Sequence, residues 1–225
     1  MNNNQTVNLL IIEDCKITSH AYETIFNTIQ NCYFNIQIAH NCDEAVKLIQ
    51  TKKNTLIILD LQLPVSKNEK YVSGEDLALL IRETKKEAKI IILTNVSNPL
   101  RINSIIKEIN PEGFIIKTET SPENLKHAVN LILSGNNYYS NTIENGIKTK
   151  FNGLVLDDFD RKILYHLSMG VKIKDICKFV ALSHRAIEVR ISKLKTVLLN
   201  TDNTDSNLIK EAKSLGLFNY SYLFL

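Results

Sequence analysis

Three carboxylates stand where two apolar stretches of this chain end. Asp60 follows the apolar run 56–59, and Glu13 and Asp14 follow the run 7–12. Runs of this length and composition are typical of strands that are buried on both faces of a parallel sheet. The C-terminal ends of such strands line the crevice where open α/β sheets bind their ligands. We therefore expect these three side chains to lie close together.

Carboxylates gathered in this way need a compensating cation. Two such charges about 4 Å apart repel each other by roughly 4 kcal/mol at an effective dielectric constant near 20. A hard divalent cation such as Mg²⁺ prefers oxygen ligands and would relieve that repulsion. The residue types and their positions therefore predict a metal-assisted site that accepts a phosphoryl group.

The composition is that of an ordinary globular protein. The chain has 225 residues, of which 44% are apolar and 23% charged, enough for one large domain or two smaller ones. No apolar stretch approaches the length of a membrane span, and residues 1–6 lack the basic and apolar regions of a signal peptide. The four cysteines show no C-x-x-C spacing, which favours reduced thiols. We expect a cytoplasmic protein without a membrane partner.

The first part of the chain alternates apolar runs with amphipathic segments. Four of these segments begin with helix-capping side chains, at Asn41, Ser73, Asn98 and Ser121. Five strands alternating with five helices predict an α/β fold with a doubly wound, five-stranded parallel sheet in residues 1–133. The predicted strands are 7–12, 34–39, 55–59, 89–93 and 113–116.

A small all-α domain is predicted after a linker. Residues 134–153 open on a Ser-Gly-Asn-Asn cluster and are weakly patterned, so we interpret them as the linker. In residues 154–225, Asp157 caps the first helix, and Asp205 is expected to cap the last one. The predicted helices are 158–167, 173–179, 184–199 and 206–215.

Residues 7–133 resemble the receiver domain of two-component response regulators, which has a flavodoxin-like fold. The resemblance rests on the acidic pair after the first strand and Asp60 after the third. It also rests on Thr94 after the fourth strand, Lys117 after the fifth, and Pro64, four residues beyond Asp60.

The resemblance implies that Asp60 takes a phosphoryl group from a histidine kinase. It also implies that Thr94 and Lys117 contact phosphoryl oxygens, and that the ring of Phe114 reports a population shift in the segment after the fourth strand. The implied Mg²⁺ ligands are Glu13, Asp14, Asp60 and the backbone carbonyl of Gln62. Residues 65–73 depart from the family, which has a much shorter loop there. They could contact a kinase, alter dephosphorylation or form neutral surface.

A basic segment points to a second partner. Residues 161–198 carry a net charge of +7, whereas the whole chain carries only +3, which favours a polyanion partner. Residues 154–199 resemble the LuxR-type helix-turn-helix of NarL/FixJ-class regulators, which implies duplex DNA as partner and a homodimer. Arg185 and Glu188 are the candidates for base contacts. The other candidate DNA contacts are His184 and four residues suited to phosphates, Lys178, Arg190, Lys193 and Lys195.

Two other classes of protein remain possible from the sequence. An aspartate-nucleophile phosphatase normally has a second acid two residues after the nucleophile, but that position is Gln62. A helical domain that binds proteins rather than DNA is the other alternative. Residues 217–225 form an apolar tail that would expose aromatic surface unless it packs back or meets a partner. The leading hypothesis is a phosphorylation-controlled transcription regulator, which is not an enzyme.

Overall fold

A computed structural model describes residues 5–30, 32–148, 156–199 and 203–217. Within these residues, six parallel strands, numbered β1 to β6 along the chain, form one sheet in the order β2-β1-β3-β4-β5-β6. The predicted α/β fold and its first five strands are confirmed, with end points that differ by up to two residues. The strands are β1 (Gln5–Ile12), β2 (Cys32–Ala39), β3 (Leu56–Leu59), β4 (Lys89–Thr94), β5 (Gly113–Ile116) and β6 (Tyr138–Tyr139).

Helices cover both faces of this sheet. Alternate strand residues enter opposite cores, so that Leu9 and Ile11 pack with α1 and α5, whereas Leu10 and Ile12 pack with α2, α3, α4 and α6. The side chains of Asn41, Asn98 and Ser121 cap their helices as predicted. The helices are α1 (Lys16–Asn27), α2 (Cys42–Thr51), α3 (Gly74–Thr84), α4 (Pro99–Ile109), α5 (Pro122–Leu133) and α6 (Asn141–Lys148).

Part of the segment interpreted as a linker is regular structure. Strand β6 pairs with β5, Phe114 opposite Tyr139, and α6 packs on α4. Gly146 allows this close approach, because a Cβ there would lie 2.8 Å from the Cδ1 atom of Ile102. The sequence did not reveal these elements because the strand has two residues and the buried side of α6 offers little more than Ile143.

The C-terminal part is helical, as predicted. Two end points need correction. The helix expected over 173–179 ends three residues earlier, at Ile176. The last helix is capped by Thr204 rather than Asp205, because the Thr204 side chain accepts from the backbone N–H of Asn207. The helices are α7 (Asp158–Ser168), α8 (Ile173–Ile176), α9 (His184–Leu198) and α10 (Asp205–Ser214). Of the predicted tail, Leu217 is buried, and residues 218–225 lie outside the described residues. None of the helices in the described ranges has the length and apolar content that a membrane crossing requires.

The core of the helical domain contains a histidine. His166 is buried, and its ring stacks on the ring of Phe179 with centroids 4.4 Å apart. Burial, assisted by the charge of Lys162, lowers the pKa of His166 to about 4. Folding therefore favours the neutral imidazole at this position.

We expect His166→Phe to make the protein less sensitive to acid. In the unfolded chain a histidine titrates near 6.5, so the folded state binds fewer protons between that pH and about pH 4. As the pH is lowered through this window, the free energy of unfolding should therefore fall by up to about 3 kcal/mol in the wild type and by less in the variant. Denaturant titrations at several pH values measure this, with the exposed His20→Phe as control. Equal acid sensitivity in all three proteins would contradict a lowered pKa of His166.

Candidate functional site

The three predicted carboxylates meet at the carboxyl edge of the sheet. Glu13 and Asp14 follow β1, Asp60 follows the adjacent strand β3, and one ligand atom from each lies within 4.8 Å of the others. Glu13 and Asp60 are buried, at 2% and 3% exposure, while Asp14 is half-buried. The expectation that these side chains lie close together is confirmed.

Lys117 joins this cluster from the end of β5. Its Nζ atom lies 2.7 Å from Oε2 of Glu13 and 2.8 Å from Oδ2 of Asp60. A 3₁₀ turn, Lys117–Glu119, begins at this residue and directs the chain away from the sheet. Lys117 therefore supplies positive charge directly to two of the three carboxylates.

Burial and charge pairing act against each other in this cluster. Burial raises the pKa of both Glu13 and Asp60, and the hydrogen bonds from Lys117 oppose that change. Burial alone would lower the pKa of Lys117, but the carboxylates of Asp60 and Glu13 outweigh it, so that this pKa is raised. The lysine therefore stays protonated beside two buried carboxylates.

The donor set suits a hard divalent cation. Oxygens around an octahedral Mg²⁺ lie about 2.0–2.1 Å from the metal, so opposite ligands are about 4 Å apart. The separation of up to 4.8 Å among the three carboxylates is close to this value. The backbone N–H of Gln62 donates to Oδ1 of Asp60 at 3.0 Å, which keeps the Gln62 backbone beside this carboxylate. The residues present therefore fit the implied ion.

Thr94 and Phe114 lie on neighbouring strands of the same sheet. Thr94 ends β4 and is fully buried, and its hydroxyl accepts from the backbone N–H of Val96 at 3.4 Å. Phe114 is also fully buried, in the core beneath α3 and α4. The structure thus places both on the β4–β5 side of the sheet, and their part in a switch stays a prediction.

Sequence reasoning missed Gly74, the first residue of α3. A Cβ at this position would lie 2.0 Å from the carbonyl oxygen of Asp60 and 2.8 Å from the Cα of Leu61. The N–H of Gly74 also donates to the carbonyl oxygen of Leu61 at 3.0 Å. The N-terminus of α3 therefore packs directly against the backbone of the phosphoacceptor candidate. A glycine beside a helix cap gives no sign of this in the sequence.

Residues 65–73 form an ordered loop that contacts the helical domain. The backbone N–H of Ser66 donates to the carbonyl oxygen of Tyr71, and Ser66 Oγ accepts from the backbone N–H of Tyr71. Val65 and Val72 flank this turn and pack in the apolar cluster of the helical domain. Burial, together with the charge of Glu69, raises the pKa of Tyr165 on α7. An intramolecular contact of this kind was not among the roles considered from the sequence.

Helix α9 presents a face to solvent that is polar apart from the exposed side chains of Val189 and Val197. Ser183 caps the helix by accepting from the N–H of Ala186, and Ile187, Ile191 and Leu194 are buried, as predicted. Leu182, expected to face the core, is partly buried against it. The exposed candidates are Lys178, His184, Arg185, Glu188 and Lys193.

The exposed Lys178 lies 2.7 Å from Asp175. The remaining two DNA-contact candidates form ion pairs with more distant acids of the helical domain. Arg190 binds Asp157 and Asp160 at 2.7 and 2.8 Å, which ties α9 to the first turn of α7. Lys195 lies 2.6 Å from Asp205 on α10. Their charges are compensated by acids outside the basic segment, so the positive surface is smaller than the count of basic residues suggests.

Comparison with known proteins identifies the N-terminal domain. The family model of the response regulator receiver domain matches residues 9–130. The chain belongs to this family. No curated protein sequence matches the chain.

Solved response regulators share the fold. RcsB of Salmonella enterica serovar Typhimurium, solved bound to the promoter rprA with phosphomimetic BeF3-, is 19% identical over 92% of this chain and 99% of that chain, with a TM-score of 0.69. The isolated receiver domain of the same protein with BeF3- is 21% identical and covers 65% of this chain and 100% of its own, with a TM-score of 0.56. A LuxR-family regulator from Aurantimonas sp. SI85-9A1 is 22% identical and covers 64% and 96%, with a TM-score of 0.54.

We expect Gly74→Ala to disturb the acceptor. The added methyl group would overlap the backbone of residues 60 and 61, so the free energy of unfolding should fall by about 1–3 kcal/mol. Labelling of the receiver by acetyl phosphate should also slow, because the Asp60 backbone has to shift. Gly146→Ala is the control for labelling, since the three atoms nearest to a Cβ at residue 146 all belong to the side chain of Ile102 and none to residues 60 and 61. Wild-type stability and labelling of Gly74→Ala would show that the close approach is unimportant.

Proposed function

We propose that this protein is the response regulator of a two-component system: it accepts a phosphoryl group on Asp60 from a histidine kinase and controls transcription by binding DNA. The observation that carries the proposal is the meeting of Glu13, Asp14, Asp60 and Lys117 at one edge of the sheet. The membership of the chain in the receiver family supports the same chemistry.

Each residue of the site has a part in this reaction. The carboxylate of Asp60 is the nucleophile: it forms a P–O bond with the phosphoryl group as the P–N bond of the kinase's phosphohistidine breaks and the imidazole leaves. Lys117 pairs with an oxygen of the acyl phosphate, and Thr94 donates its hydroxyl to another. Glu13, Asp14, Asp60 and the carbonyl of Gln62 would hold Mg²⁺, which neutralises charge on the phosphoryl group when it is bound. The phosphoryl contacts of Thr94 favour one arrangement of the β4–α4 region, and Phe114 responds to it.

The output that we propose is recognition of duplex DNA by the helical domain, residues 154–225, while residues 1–133 form the receiver. Helix α9 enters the major groove, where Arg185 can donate to guanine and Glu188 can accept from cytosine. Lys178, His184 and Lys193 are exposed near this face and suit contacts to the backbone of the duplex. We further propose that the protein acts in the cytoplasm and binds DNA as a homodimer.

Asp60→Asn should abolish phosphoryl transfer. The amide is a poor nucleophile and removes one of the charges that hold the cation, so no acyl phosphate can form. Intact-mass spectrometry after incubation with acetyl phosphate and Mg²⁺ measures the labelled fraction. Asp43→Asn, an aspartate of α2 outside the carboxylate cluster, is the matched control and should be labelled like the wild type. Undiminished labelling of Asp60→Asn would refute the assignment of the acceptor.

Lys193→Ala should weaken binding to every duplex alike. A contact to one phosphate releases counterions, so its loss should reduce the slope of log affinity against log salt concentration by roughly 0.9. Fluorescence anisotropy at several salt concentrations gives this slope, with Lys126→Ala on α5 of the receiver as control. If the slope of the Lys193 variant equals that of the wild type, this lysine does not contact phosphate.

A further inference from the structure

A buried group of three charges joins the receiver to the helical domain. Glu75, in the first turn of α3, accepts from Arg101 of α4 at 2.6 Å and from Arg161 of α7 at 2.6 Å. The three side chains are only 1–4% exposed. We refer to Arg101, Glu75 and Arg161 as the arginine–glutamate triad. Two of its members belong to the receiver and one to the helical domain.

Further contacts surround the triad. Lys162 of α7 lies 3.3 Å from Asp76 of α3, and the guanidinium of Arg101 also donates to the carbonyl oxygen of Gly216, just after α10. The backbone N–H of Leu156 donates to Oγ of Ser104 on α4 at 3.0 Å. The helical domain is therefore attached to the receiver both where it begins and where its last described helix ends.

An apolar contact lies beside these charges. Val72 and Leu100 of the receiver are buried in one cluster with the side chains of the helical domain, among them Leu156, Ile163 and Leu217. Apolar contacts are non-directional, whereas buried charges require their partners at one geometry, because any misaligned packing leaves a charge uncompensated. The apolar cluster thus favours contact between the domains, and the triad selects one orientation among the possible contacts.

This orientation leaves the proposed reading helix open. The contacts to the receiver come from α7, Leu156 and the end of α10. Meanwhile His184, Arg185, Glu188 and Lys193 on α9 are exposed. A duplex could therefore approach α9 while the two domains stay together.

The two receiver residues of the triad, Glu75 and Arg101, lie next to the loops that follow Asp60 and Thr94. Glu75 directly follows Gly74, which packs on the backbone of Asp60. Arg101 lies in the first turn of α4, and its N–H donates to the capping side chain of Asn98, four residues after Thr94. A change in either loop is therefore passed to Glu75 or Arg101 through the N-terminal end of one helix.

We propose that the arginine–glutamate triad fixes the helical domain on the receiver in its DNA-binding orientation, so that the packed arrangement of the two domains is the form that binds DNA. This inference rests on the proposed function, because it assigns a regulatory contact to the same reading helix. It also makes the triad the route by which the state of Asp60 alters DNA affinity.

The test compares three full-length variants with the wild type. Arg161→Met leaves Glu75 without one of its two cations, and it also removes a cation from Asp158 at 3.1 Å and from Glu108 at 3.6 Å. The triple variant Glu75→Met, Arg101→Met and Arg161→Met replaces the triad by apolar side chains that can keep the domains packed. In that variant Asp158 keeps its ion pair with Lys162, and Glu108 is partly exposed to solvent. Arg82→Met is the matched control, because the Arg82–Glu112 ion pair lies within the receiver. Each protein is examined by small-angle X-ray scattering and by titration of the duplex that the wild type enriches from a random pool, with and without acetyl phosphate and Mg²⁺.

We expect Arg161→Met to have a larger radius of gyration and to bind the selected duplex about tenfold more weakly, since affinity falls in proportion to the fraction of molecules in the competent arrangement. Its response to acetyl phosphate should be lost. The triple variant should regain the compact shape and most of the affinity, which separates orientation from a direct contact of Arg161 with DNA. The Arg82→Met protein should match the wild type in shape and in DNA affinity.

Three results would overturn the inference. One is unchanged shape and affinity of Arg161→Met, and another is an expanded Arg161→Met protein that binds DNA more tightly, which would make the interface a cover over the reading helix. The third is a compact triple variant that still binds weakly, which would assign the loss to a DNA contact of Arg161. If Arg161→Met does not fold, the shape and the DNA affinity of the triple variant test the inference. If the wild type enriches no duplex from the random pool, the proposed function is refuted instead. The scattering data would still show whether the triad holds the domains together.

Discussion

Electrostatic repulsion among Glu13, Asp14 and Asp60 is the constraint on which the rest of the receiver depends. Parallel strands bring these carboxylates to one edge of the sheet, and burial of two of them raises the free energy of their charged forms. Lys117 compensates part of this charge from the end of β5. The negative charge that remains suits a divalent cation, and in the function we propose that cation offsets the charge of the phosphoryl group. The repulsion within the cluster and the chemistry proposed for it therefore have the same origin.

The acceptor and the interface between the domains are built from the same two helix ends. α3 begins against the Asp60 backbone at Gly74 and contributes Glu75 to the arginine–glutamate triad one residue later. α4 begins after the Thr94 loop and contributes Arg101. The β4–α4 loop has four residues, Gly74 packs directly on the Asp60 backbone, and packed interiors transmit displacements. These contacts support the coupling that we propose between the site and the attachment of the helical domain.

The helical domain shows how charge counted along a sequence differs from charge presented to a partner. Arg161, Arg190 and Lys195 belong to the segment with a net charge of +7, yet each is paired with acids from elsewhere in the chain. Their partners lie on α3, in the first turn of α7 and on α10, which only folding brings together. The basic side chains of this segment that stay exposed are Arg185 and Lys193 on α9 and three lysines at or next to α8, Lys172, Lys174 and Lys178.

The resemblance to receiver domains placed Lys117 beside the carboxylates. The sequence alone was sufficient for the α/β class, the first five strands, most helix caps and the meeting of Glu13, Asp14 and Asp60. These features follow from local periodicity, from capping chemistry and from the rule that parallel strands end at one edge. Only the tertiary structure revealed strand β6 with helix α6, the close packing of Gly74 on Asp60, and the partners of Arg161 and Arg190. Such contacts join residues far apart in the chain, and a two-residue strand, a glycine or an arginine has the same local sequence appearance whichever neighbour it will meet.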